Sequence, residues 1–371
     1  MFAPLSGHTN TAFRSGIYVS TLTQTNLPPA FMLRGHAMTS NPTWVLKRFP
    51  EGMPGPDDFS LEQRGTPVAK PGELLVRTLW LSVDPYMRAR LSPARNYAAG
   101  QKIGEMMQGG GVGEVVASES PLFQPGDIIQ ADDFGWQPLT TVAAKTAIRL
   151  DPASAPVQTS LGCLGMPGLS AYFALLHVGR PKEDETVLIS AASGAVGQIA
   201  GQIARIKGFD PVAVAGSDAK VDWCRSIGYR AGINHRTAGD LTEAIARACP
   251  SGVDVFMDNT AGPIHDAALL NLNTFGRIVV VGTVALADRF DQPDIGQRFL
   301  RRILVARARI EGFLLDDFEA QYAEARSQLT RWYREGLLEA REDVAEGIEA
   351  TPHAFIRMLK GENFGKQLVK V

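Results

Sequence analysis

Hydrophobic residues along this chain change their spacing twice. Between Trp44 and about Ile148 they form short runs that are separated by proline and glycine, as at residues 74–82, 111–117 and 127–130. Short apolar runs with frequent turn residues predict β-strands rather than helices. The first part of the chain is therefore expected to be a β-rich domain.

From about Leu161 to Arg334, continuous apolar runs alternate with amphipathic stretches. A run without polar alternation predicts a strand that is buried on both faces, as in a parallel sheet covered by helices. The amphipathic stretches at residues 195–208 and 319–335 place their apolar residues at helical spacing. The continuous runs are residues 187–192, 212–215, 253–257, 278–281 and 310–315.

The last part of the chain returns to short mixed elements and ends in residues 367–371, which predict a closing strand. The whole pattern predicts an α/β protein in which a parallel-sheet domain interrupts a β-rich domain. The predicted boundaries are 38–160 for the β-rich domain, 161–335 for the parallel-sheet domain and 336–371 for the return to the first domain.

Residues 1–37 differ in composition from the rest of the chain. They contain Arg14 and Arg34 as their only Lys, Arg, Asp or Glu residues, and they are rich in serine and threonine. This composition fits a disordered leader, a transit peptide or an upstream start codon ahead of Met38. We treat the segment as a leader that is expected to be disordered, and we leave it out of the fold prediction.

Composition narrows the classes of function. A length of 371 residues suits two domains, and a formal net charge of −2 gives no basic field for nucleic acid or an anionic membrane. No apolar run approaches the roughly 18 residues that a membrane span needs. Cys163, Cys224 and Cys249 are too far apart in sequence for a metal-binding pair or a disulfide scaffold, which predicts a reducing, cytoplasmic compartment.

The sharpest local signal is residues 187–197 (VLISAASGAVG), where a predicted buried strand runs into a glycine-containing turn and an amphipathic helix. Gly194 lets the backbone approach a pyrophosphate, and the helix N-terminus offers N–H groups and a positive dipole end. Gly197 and Gly201 would let the helix pack closely on the sheet. Because the motif lacks one glycine of the full fingerprint, the strand–turn–helix context carries the prediction of a dinucleotide site.

The choice of dinucleotide depends on the end of the next strand. Asp218 is close to the position at which an acid binds the ribose 2′-hydroxyl in NAD sites. Ser217 and Lys220 could instead hold a 2′-phosphate, and His235 or Arg236 could add a cation beside it. Asp218 could also cap the following helix. These residues favour NADP and leave NAD open.

Several segments follow one another in an order that is typical of a known family. They are residues 82–88 (SVDPYMR), 165–172 (GMPGLSAY), 191–197 (AASGAVG), 216–220 (GSDAK), 258–259 (DN), 275–278 (FGRI) and 361–366 (GENFGK). Together they resemble the zinc-independent medium-chain dehydrogenase/reductases, in the alkenal/prostaglandin reductase (leukotriene hydroxydehydrogenase) branch. The resemblance runs from about residue 38 to the end of the chain.

The resemblance implies a GroES-like, partly open barrel and a Rossmann domain, with NADPH in the cleft between them, and a homodimer. It assigns the glycine turn to the pyrophosphate and Lys220 to the 2′-phosphate. The cofactor contacts that we expect from the motifs and the resemblance are Gly194, Ala195, Val196, Gly197, Ser217, Lys220, His235, Asn259, Val281, Gly282, Thr283, Phe313, Leu314, Leu315 and Asn363.

The chain departs from the family at two positions. His235 stands where a tyrosine usually lies near the 2′-phosphate, and an imidazole can still donate a hydrogen bond there. Residues 303–306 contain no tyrosine, although some members carry a substrate-site tyrosine in that segment. Tyr86, which follows Pro85 in a tight turn, is the predicted catalytic contact to the substrate or its carbonyl oxygen, with turn packing as its alternative role. Met166 is expected in the wall of the substrate cleft.

The expected chemistry uses no metal. Metal-dependent relatives polarise their substrates with zinc, but none of the three cysteines lies in the β-rich domain and no Gly-His-Glu triplet occurs. We expect hydride transfer from NADPH to the β-carbon of an α,β-unsaturated aldehyde or ketone, followed by protonation at the α-carbon. The alternatives are an NADPH quinone reductase and a cofactor-binding protein without turnover. The physiological substrate, the stereochemistry and the proton donor are not fixed by the sequence.

Overall fold

The computed structural model describes residues 40–93 and 99–371. The predicted leader, residues 1–37, lies outside these ranges. The described residues belong to one unit, Met38–Val371. Within them, no helix combines the length and the apolarity that a membrane-spanning segment needs.

The strands fall into three groups along the chain. The first group is β1 (Asn41–Leu46), β2 (Phe59–Arg64), β3 (Glu73–Ser82), β4 (Gly111–Ser118), β5 (Ile128–Ala131), β6 (Leu139–Ala143) and β7 (Ile148–Leu150). The second is β8 (Thr186–Ser190), β9 (Asp210–Ala215), β10 (Ala231–Asn234), β11 (Val253–Asp258), β12 (Leu272–Val280) and β13 (Arg309–Gly312). The last is β14 (Glu342–Glu346) and β15 (Lys366–Lys370).

Most of the helices lie between the strands of the second group. The α-helices are α1 (Tyr86–Arg90), α2 (Met166–Phe173), α3 (Gly197–Ile206), α4 (Asp218–Ser226), α5 (Leu241–Ala248), α6 (Gly262–Leu270), α7 (Leu300–Ala306), α8 (Tyr322–Arg334) and α9 (Thr351–Leu359). Short 3-10 helices are formed by Pro56–Asp58, Val157–Leu161, Val284–Arg289, Leu315–Gln321 and Ile348–Ala350, and a π-helical turn by Ala174–Gly179.

The first and last groups of strands form the β-rich domain. Its main sheet has the order β14-β15-β3-β4-β5-β7, with β6 beside β3, and β1 pairs with β2. All of these pairs are antiparallel except β14 with β15. Gly111 and Gly113 let β4 pass against Phe134, since a Cβ there would lie 2.6 and 2.9 Å from its ring. Close packing of this kind explains the glycine-rich start of β4.

The second group forms a parallel sheet in the order β10-β9-β8-β11-β12-β13. The chain builds outward from β8 to β10, returns to the other side of β8 at β11 and then builds outward to β13. The carboxyl ends of β8 and β11 therefore lie side by side at the point where the strand order reverses. In open α/β sheets, ligands bind at such a switch point.

The predicted combination of a β-rich domain and a parallel-sheet domain is confirmed, and so is the closing strand, β15. The domain boundaries stay predictions. The expectation that the run at residues 310–315 is buried on both faces is wrong, because all residues of β13 are exposed. β13 is the last strand of the sheet formed by the described residues, so only one side of it pairs with a neighbour.

Candidate cofactor and substrate site

The turn between β8 and α3 presents backbone at the switch point of the parallel sheet. The N–H of Gly194 donates to the carbonyl of Ala191 at 2.9 Å, and Gln198 N–H donates to Gly194 O at 3.1 Å. Helical hydrogen bonding therefore reaches back to Gly194, although the helix itself begins at Gly197. Gly194, Ala195 and Val196 are half-buried, whereas Gly197 is buried. A glycine turn that leads into a helix start is consistent with the predicted pyrophosphate contact, which stays a prediction.

Three glycines of this segment differ in the space around them. A Cβ on Gly194 would meet only the carbonyl oxygen of Ala191, at 3.1 Å, and the methyl of the same residue at 4.0 Å. A Cβ on Gly197 would lie 2.4 Å from the same oxygen, so Gly197 allows the turn to close on itself. Gly201 was expected to pack on the sheet; it packs instead on the ring of Tyr229, 2.0 Å from the Cβ position. The Tyr229 hydroxyl donates to Gly197 O at 2.6 Å.

The start of α4 settles what Ser217 and Asp218 do locally. Ser217 is the N-cap, and its hydroxyl oxygen accepts the N–H of Lys220 at 3.3 Å. The prediction that Asp218 could cap this helix is wrong, because the helix begins one residue earlier than expected. The Asp218 carboxylate accepts a hydrogen bond from Asn234 Nδ2 at 2.8 Å. Asp218 is thus engaged with the end of β10.

Basic side chains gather beside this cap. Lys220 Nζ donates to the carbonyl of Gly361 at 2.7 Å, and Arg236 Nη2 donates to the carbonyl of Lys360 at 3.4 Å. Burial, and then the charge of Arg236, lower the pKa of Lys220. Burial also lowers the pKa of His235, and Arg236 and Lys220 add to that effect. None of the ion pairs found among residues 40–93 and 99–371 includes Lys220 or Arg236, so the cluster would gain from an added phosphate.

The end of β11 brings further predicted cofactor contacts to the same edge. Asn259 Nδ2 donates to the carbonyl of Ser190, the last residue of β8, at 2.7 Å. The N–H groups of Val281 and Gly282 donate to the carbonyl of Asp258 at 2.8 and 3.1 Å. Val281 and Gly282 are half-buried, and Thr283 is exposed. The structure thus joins the glycine turn, Asn259, Val281, Gly282 and Thr283 along one sheet edge.

The predicted substrate residues lie on other elements. Tyr86 is half-buried at the start of α1, and the guanidinium of Arg90 lies 5.4 Å from the centre of its ring. Met166 begins α2 and is 36% exposed. Asn363, a predicted cofactor contact, lies after α9, and its Nδ2 donates to the carbonyl of Gly365 at 2.8 Å.

The three predicted cofactor contacts after β13 differ in their exposure to solvent. Phe313 is buried, and its ring stacks on that of Phe318 with the ring centroids 5.8 Å apart. Leu315 packs against the core of the parallel-sheet domain. Leu314 is 49% exposed. Leu314 is therefore the member of the three with the most surface to offer a ligand.

Sequence reasoning missed a charged group between the two domains. Asp132 lies in the loop after β5. It interacts electrostatically with Asp84 of the β-rich domain and with Arg326 and Asp316 of the parallel-sheet domain. Burial raises the pKa of Asp132, with a further contribution from Asp133, and burial lowers the pKa of Arg326. Asp132 and Asp133 are nevertheless both exposed to solvent. The only available signal was the Asp-Asp pair itself, which interrupts an otherwise apolar stretch.

The described part of the chain contains no group of three His, Cys, Asp or Glu side chains that could hold a metal ion. The three cysteines are buried and unpaired with one another, and burial raises the pKa of each thiol to about 12. None of them has the depressed pKa that marks a reactive or metal-binding thiol.

Comparisons with known proteins agree with this geometry. A family model described as the N-terminal domain of oxidoreductase matches residues 42–150, and one described as zinc-binding dehydrogenase matches residues 195–331. A putative NADP-dependent oxidoreductase of Bacillus subtilis (strain 168) is 42% identical over 88% of this chain and 96% of its own. Prostaglandin reductase 1 of Bos taurus is 38% identical over 88% of this chain and 98% of its own.

A solved structure, that of CurA from Vibrio vulnificus in complex with NADPH, superposes with a TM-score of 0.84. It is 35% identical to this chain and covers 89% of it and 98% of itself. Identity at this level over nearly the full length of each relative shows common family membership. The chain belongs to the zinc-independent medium-chain dehydrogenase/reductases, in the branch of the prostaglandin and alkenal reductases.

Proposed function

We propose that this protein uses NADPH to reduce the carbon–carbon double bond of α,β-unsaturated aldehydes and ketones. The observation that carries the proposal is that a glycine turn and a cluster of basic side chains both lie at the carboxyl ends of the parallel strands. The glycine turn at residues 191–197 lies at the switch point, and the basic cluster of Lys220, His235 and Arg236 follows the two adjacent strands. Together they match a dinucleotide that carries an additional phosphate.

The residues present fit NADPH in both of its charged parts. Gly194 leaves the backbone open to a pyrophosphate, because a Cβ there would meet only Ala191. Lys220 and Arg236 point their charges at backbone carbonyls rather than at carboxylates. A 2′-phosphate would form charge-assisted hydrogen bonds with these cations. Asn259, Val281, Gly282 and Thr283 would line the next part of the cofactor.

NADPH, when bound, supplies the hydride that reduces the substrate at its β-carbon. The side chains of this protein must orient the double bond and stabilise the negative charge that develops on the carbonyl oxygen. Two observations support Tyr86 in that role: it is half-buried at the start of α1, and its turn is held by a buried ion pair between Asp84 and Lys366. Met166 and Leu314 offer apolar surface to the carbon skeleton.

The proposal is tested by following the absorbance of NADPH with purified protein and three classes of substrate. A conjugated enone or enal should be reduced, a saturated aldehyde should not, and NADH should support much slower turnover. Faster reduction of a quinone than of any enone would replace the proposal with a quinone reductase. NADPH binding without turnover of any of the substrates would identify a cofactor-binding protein.

We also propose that the protein is a homodimer that pairs through β13. All residues of β13 are exposed, and the neighbouring α7 exposes Leu300, Leu304 and Val305. Arg309 and Glu311 form an ion pair at 3.1 Å within the strand. If two copies of β13 pair antiparallel about Ile310, Arg309 of each copy lies opposite Glu311 of the other. The edge is therefore complementary to itself.

The dimer can be tested by light scattering coupled to size-exclusion chromatography. Glu311→Arg places like charges opposite each other and should shift the protein toward monomer. Combining it with Arg309→Glu should restore the dimer. A dimer that persists unchanged in both variants would place the interface elsewhere. We propose a cytoplasmic location with this function, since three unpaired cysteines suit a reducing compartment.

A further inference from the structure

A fully buried carboxylate lies beneath the edge that carries the predicted cofactor contacts. Asp258 has no exposed surface, and its Oδ1 accepts the N–H groups of Thr260 and Ala261, each at 2.9 Å. The same oxygen accepts the Ser190 hydroxyl at 3.2 Å. The Ser190 hydroxyl oxygen in turn accepts the N–H of Asn259 at 2.8 Å. The Asp258 side chain thus shapes the turn that follows β11 and ties it to the end of β8.

The main chain of Asp258 fixes a third segment. Its carbonyl accepts the N–H groups of Val281 and Gly282, just after β12. The turn after Asp258 is strained at Ala261, which has a positive φ of 60°, whereas Gly262 adopts its φ of 62° without strain. A strained turn keeps its shape only where its surroundings hold it. Asp258 supplies that support on both sides.

His265 is the cation that pairs with this carboxylate. It lies on α6, and its Nδ1 donates to Asp258 Oδ2 at 2.8 Å. Its side chain is 23% exposed, so it can exchange a proton with solvent while Asp258 cannot. The hydrogen bond to Asp258 raises the pKa of His265. A buried carboxylate without a partner is strongly unfavourable, so the charge of His265 offsets the burial of Asp258.

Other charged groups near α6 have smaller effects on His265. Asp266, its neighbour, and Asp294 also favour the protonated imidazole. α5, α7, β11 and β12 pack on α6. The remaining charged side chains of these elements have other partners or are exposed. Glu243 forms an ion pair with Arg247, and Arg277 forms one with Glu185. Asp254 is hydrogen-bonded to Asn273, Arg302 donates to the carbonyl of Leu272, and Arg301 is exposed. The raised pKa of His265 is therefore due mainly to Asp258.

We propose that His265 is a positioning residue for the cofactor. In its protonated form it neutralises Asp258 and holds the turn at residues 258–261 and the strand end at residues 281–282 in the arrangement that receives NADPH. The inference rests on the proposed function, because it takes this edge to be the binding site of NADPH. It assigns a role to a residue that does not itself touch the cofactor.

The expected pH dependence follows from the direction of the pKa shift. His265 is protonated below its folded pKa, which lies above the ordinary value of 6.5. NADPH affinity should be highest where His265 is protonated and should fall as pH rises through that raised pKa. A difference of one pKa unit between the free and bound protein corresponds to about a tenfold change in affinity.

The test compares two ligands of the whole protein at about pH 6 and about pH 8.5, on either side of an ordinary or moderately raised histidine pKa. NADPH reaches the Asp258 edge, whereas 2′-AMP carries only the adenosine end with its 2′-phosphate. His235 and the 2′-phosphate itself titrate with both ligands. The loss of NADPH affinity between the two pH values, divided by the loss for 2′-AMP, therefore isolates the contribution of the Asp258 edge. We expect this ratio to be about three to ten in the unmodified protein.

His265→Gln keeps a hydrogen-bond donor but cannot be protonated, so it should bring the ratio to about one. His353→Gln, on the exposed face of α9, is the matched control and should leave the ratio unchanged. A ratio in His265→Gln equal to that of the unmodified protein would overturn the inference, as would a lower melting temperature with unchanged NADPH affinity at both pH values. Failure of the unmodified protein to bind either ligand would instead refute the proposed function.

Discussion

Lys366 Nζ lies 2.9 Å from Asp84 Oδ1, so that the first residue of the closing strand forms a buried ion pair with the turn that precedes Tyr86. Only 2% of the Lys366 side chain and 6% of the Asp84 side chain are exposed. Lys366 also donates to the carbonyls of Val83 and Gln367 at 2.9 and 3.1 Å. Burial lowers the pKa of Lys366, and Asp84 opposes that shift. The C-terminal return of the chain thus holds the candidate catalytic turn in place.

Removing the charge of Lys366 should destabilise the protein strongly. Lys366→Met leaves the Asp84 carboxylate buried with the Ser82 hydroxyl as hydrogen-bond donor but without a cation, which costs about 3–5 kcal/mol. Combining it with Asp84→Leu should recover most of this loss, because an apolar pair needs no charge compensation. Chemical denaturation of both variants measures the effect, with the exposed Lys145→Met as control. An equal denaturation midpoint for Lys366→Met and Lys145→Met would contradict the prediction.

Two glycines of the turn after β8 should respond differently to alanine. Gly197→Ala places its Cβ 2.4 Å from Ala191 O and 2.7 Å from Ala192 Cα, so we expect a loss of stability of about 1–3 kcal/mol. Gly194→Ala needs a smaller shift, because its Cβ would lie 3.1 Å from Ala191 O, but it puts a methyl group where the pyrophosphate should approach. Its loss of stability should be smaller than that of Gly197→Ala, while NADPH affinity should fall about tenfold or more, or at least 1.4 kcal/mol.

Thermal melting and fluorescence titration of NADPH separate the two effects. If Gly194→Ala binds NADPH as tightly as the unmodified protein, the pyrophosphate does not lie over this turn.

The parallel sheet and its glycine turn could be predicted because both depend on local pattern. A continuous apolar run such as β8 followed by the turn at residues 191–197 has few other structural interpretations. The residues at the ends of β9 and β11 followed from the same logic, since they come at the carboxyl ends of predicted strands. Their identity as cofactor contacts depended on the family resemblance.

Contacts between distant segments could not be predicted in this way. Asp84 and Lys366 are separated by most of the chain, and Asp258 and His265 pair only because the strained turn at Ala261 brings α6 back over β11. The exposure of β13 depends on how many neighbours the strand has, which its own residues do not show. The electrostatic interactions of Asp132 with Arg326 and Asp316 likewise depend on how the two domains pack, which its own sequence neighbours do not show.

Lys220 should determine the preference for NADPH over NADH. Lys220→Ala removes a cation from the predicted 2′-phosphate contact, and hydrogen bonds to charged groups contribute about 1.5–3 kcal/mol. NADPH affinity should therefore fall about 10- to 100-fold, while NADH affinity should be unchanged. Titration with both cofactors measures the ratio. Equal losses for NADPH and NADH would show that Lys220 stabilises the fold rather than the phosphate.

Binding of the 2′-phosphate should be accompanied by proton uptake at His235. Burial, Arg236 and Lys220 lower the pKa of His235, so the imidazole is neutral near pH 7 before the phosphate arrives. A bound phosphate favours the protonated form and raises that pKa. Calorimetry of 2′,5′-ADP binding in buffers of different ionisation enthalpy counts the protons, and His235→Gln should take up fewer. Equal uptake by both proteins would assign the proton to another group.

Tyr86→Phe should lower turnover of enones without weakening NADPH binding. The hydroxyl is the proposed donor to the developing oxyanion, and loss of one such donor costs about 10²-fold in kcat. The aromatic ring, which packs against the barrel core, remains in place. Tyr333→Phe, at the end of α8, removes a hydroxyl outside the proposed cleft and serves as control. Full turnover by Tyr86→Phe would leave Tyr86 with turn packing as its role.

Asp132 and Asp133 should discriminate against substrates that carry a carboxylate. Both lie in the loop after β5, and Asp132 interacts with charged groups of both domains. A carboxylate at about 7 Å from two such charges, at an effective dielectric constant of about 40–80, is repelled by roughly 1–2 kcal/mol. The variant Asp132→Asn with Asp133→Asn should therefore raise kcat/KM for an enone acid about tenfold, or more, relative to its methyl ester.

Measuring the acid and the ester side by side removes any general effect of the substitutions on catalysis. Asp151→Asn, at an exposed turn of the barrel, changes the net charge without changing the cleft, and its acid-to-ester ratio should stay at the original value. Because repulsion between charges is screened by salt, the preference of the unmodified protein for the ester should weaken as ionic strength rises. If the double variant keeps the original ratio at low salt, Asp132 and Asp133 lie outside the path that the substrate takes.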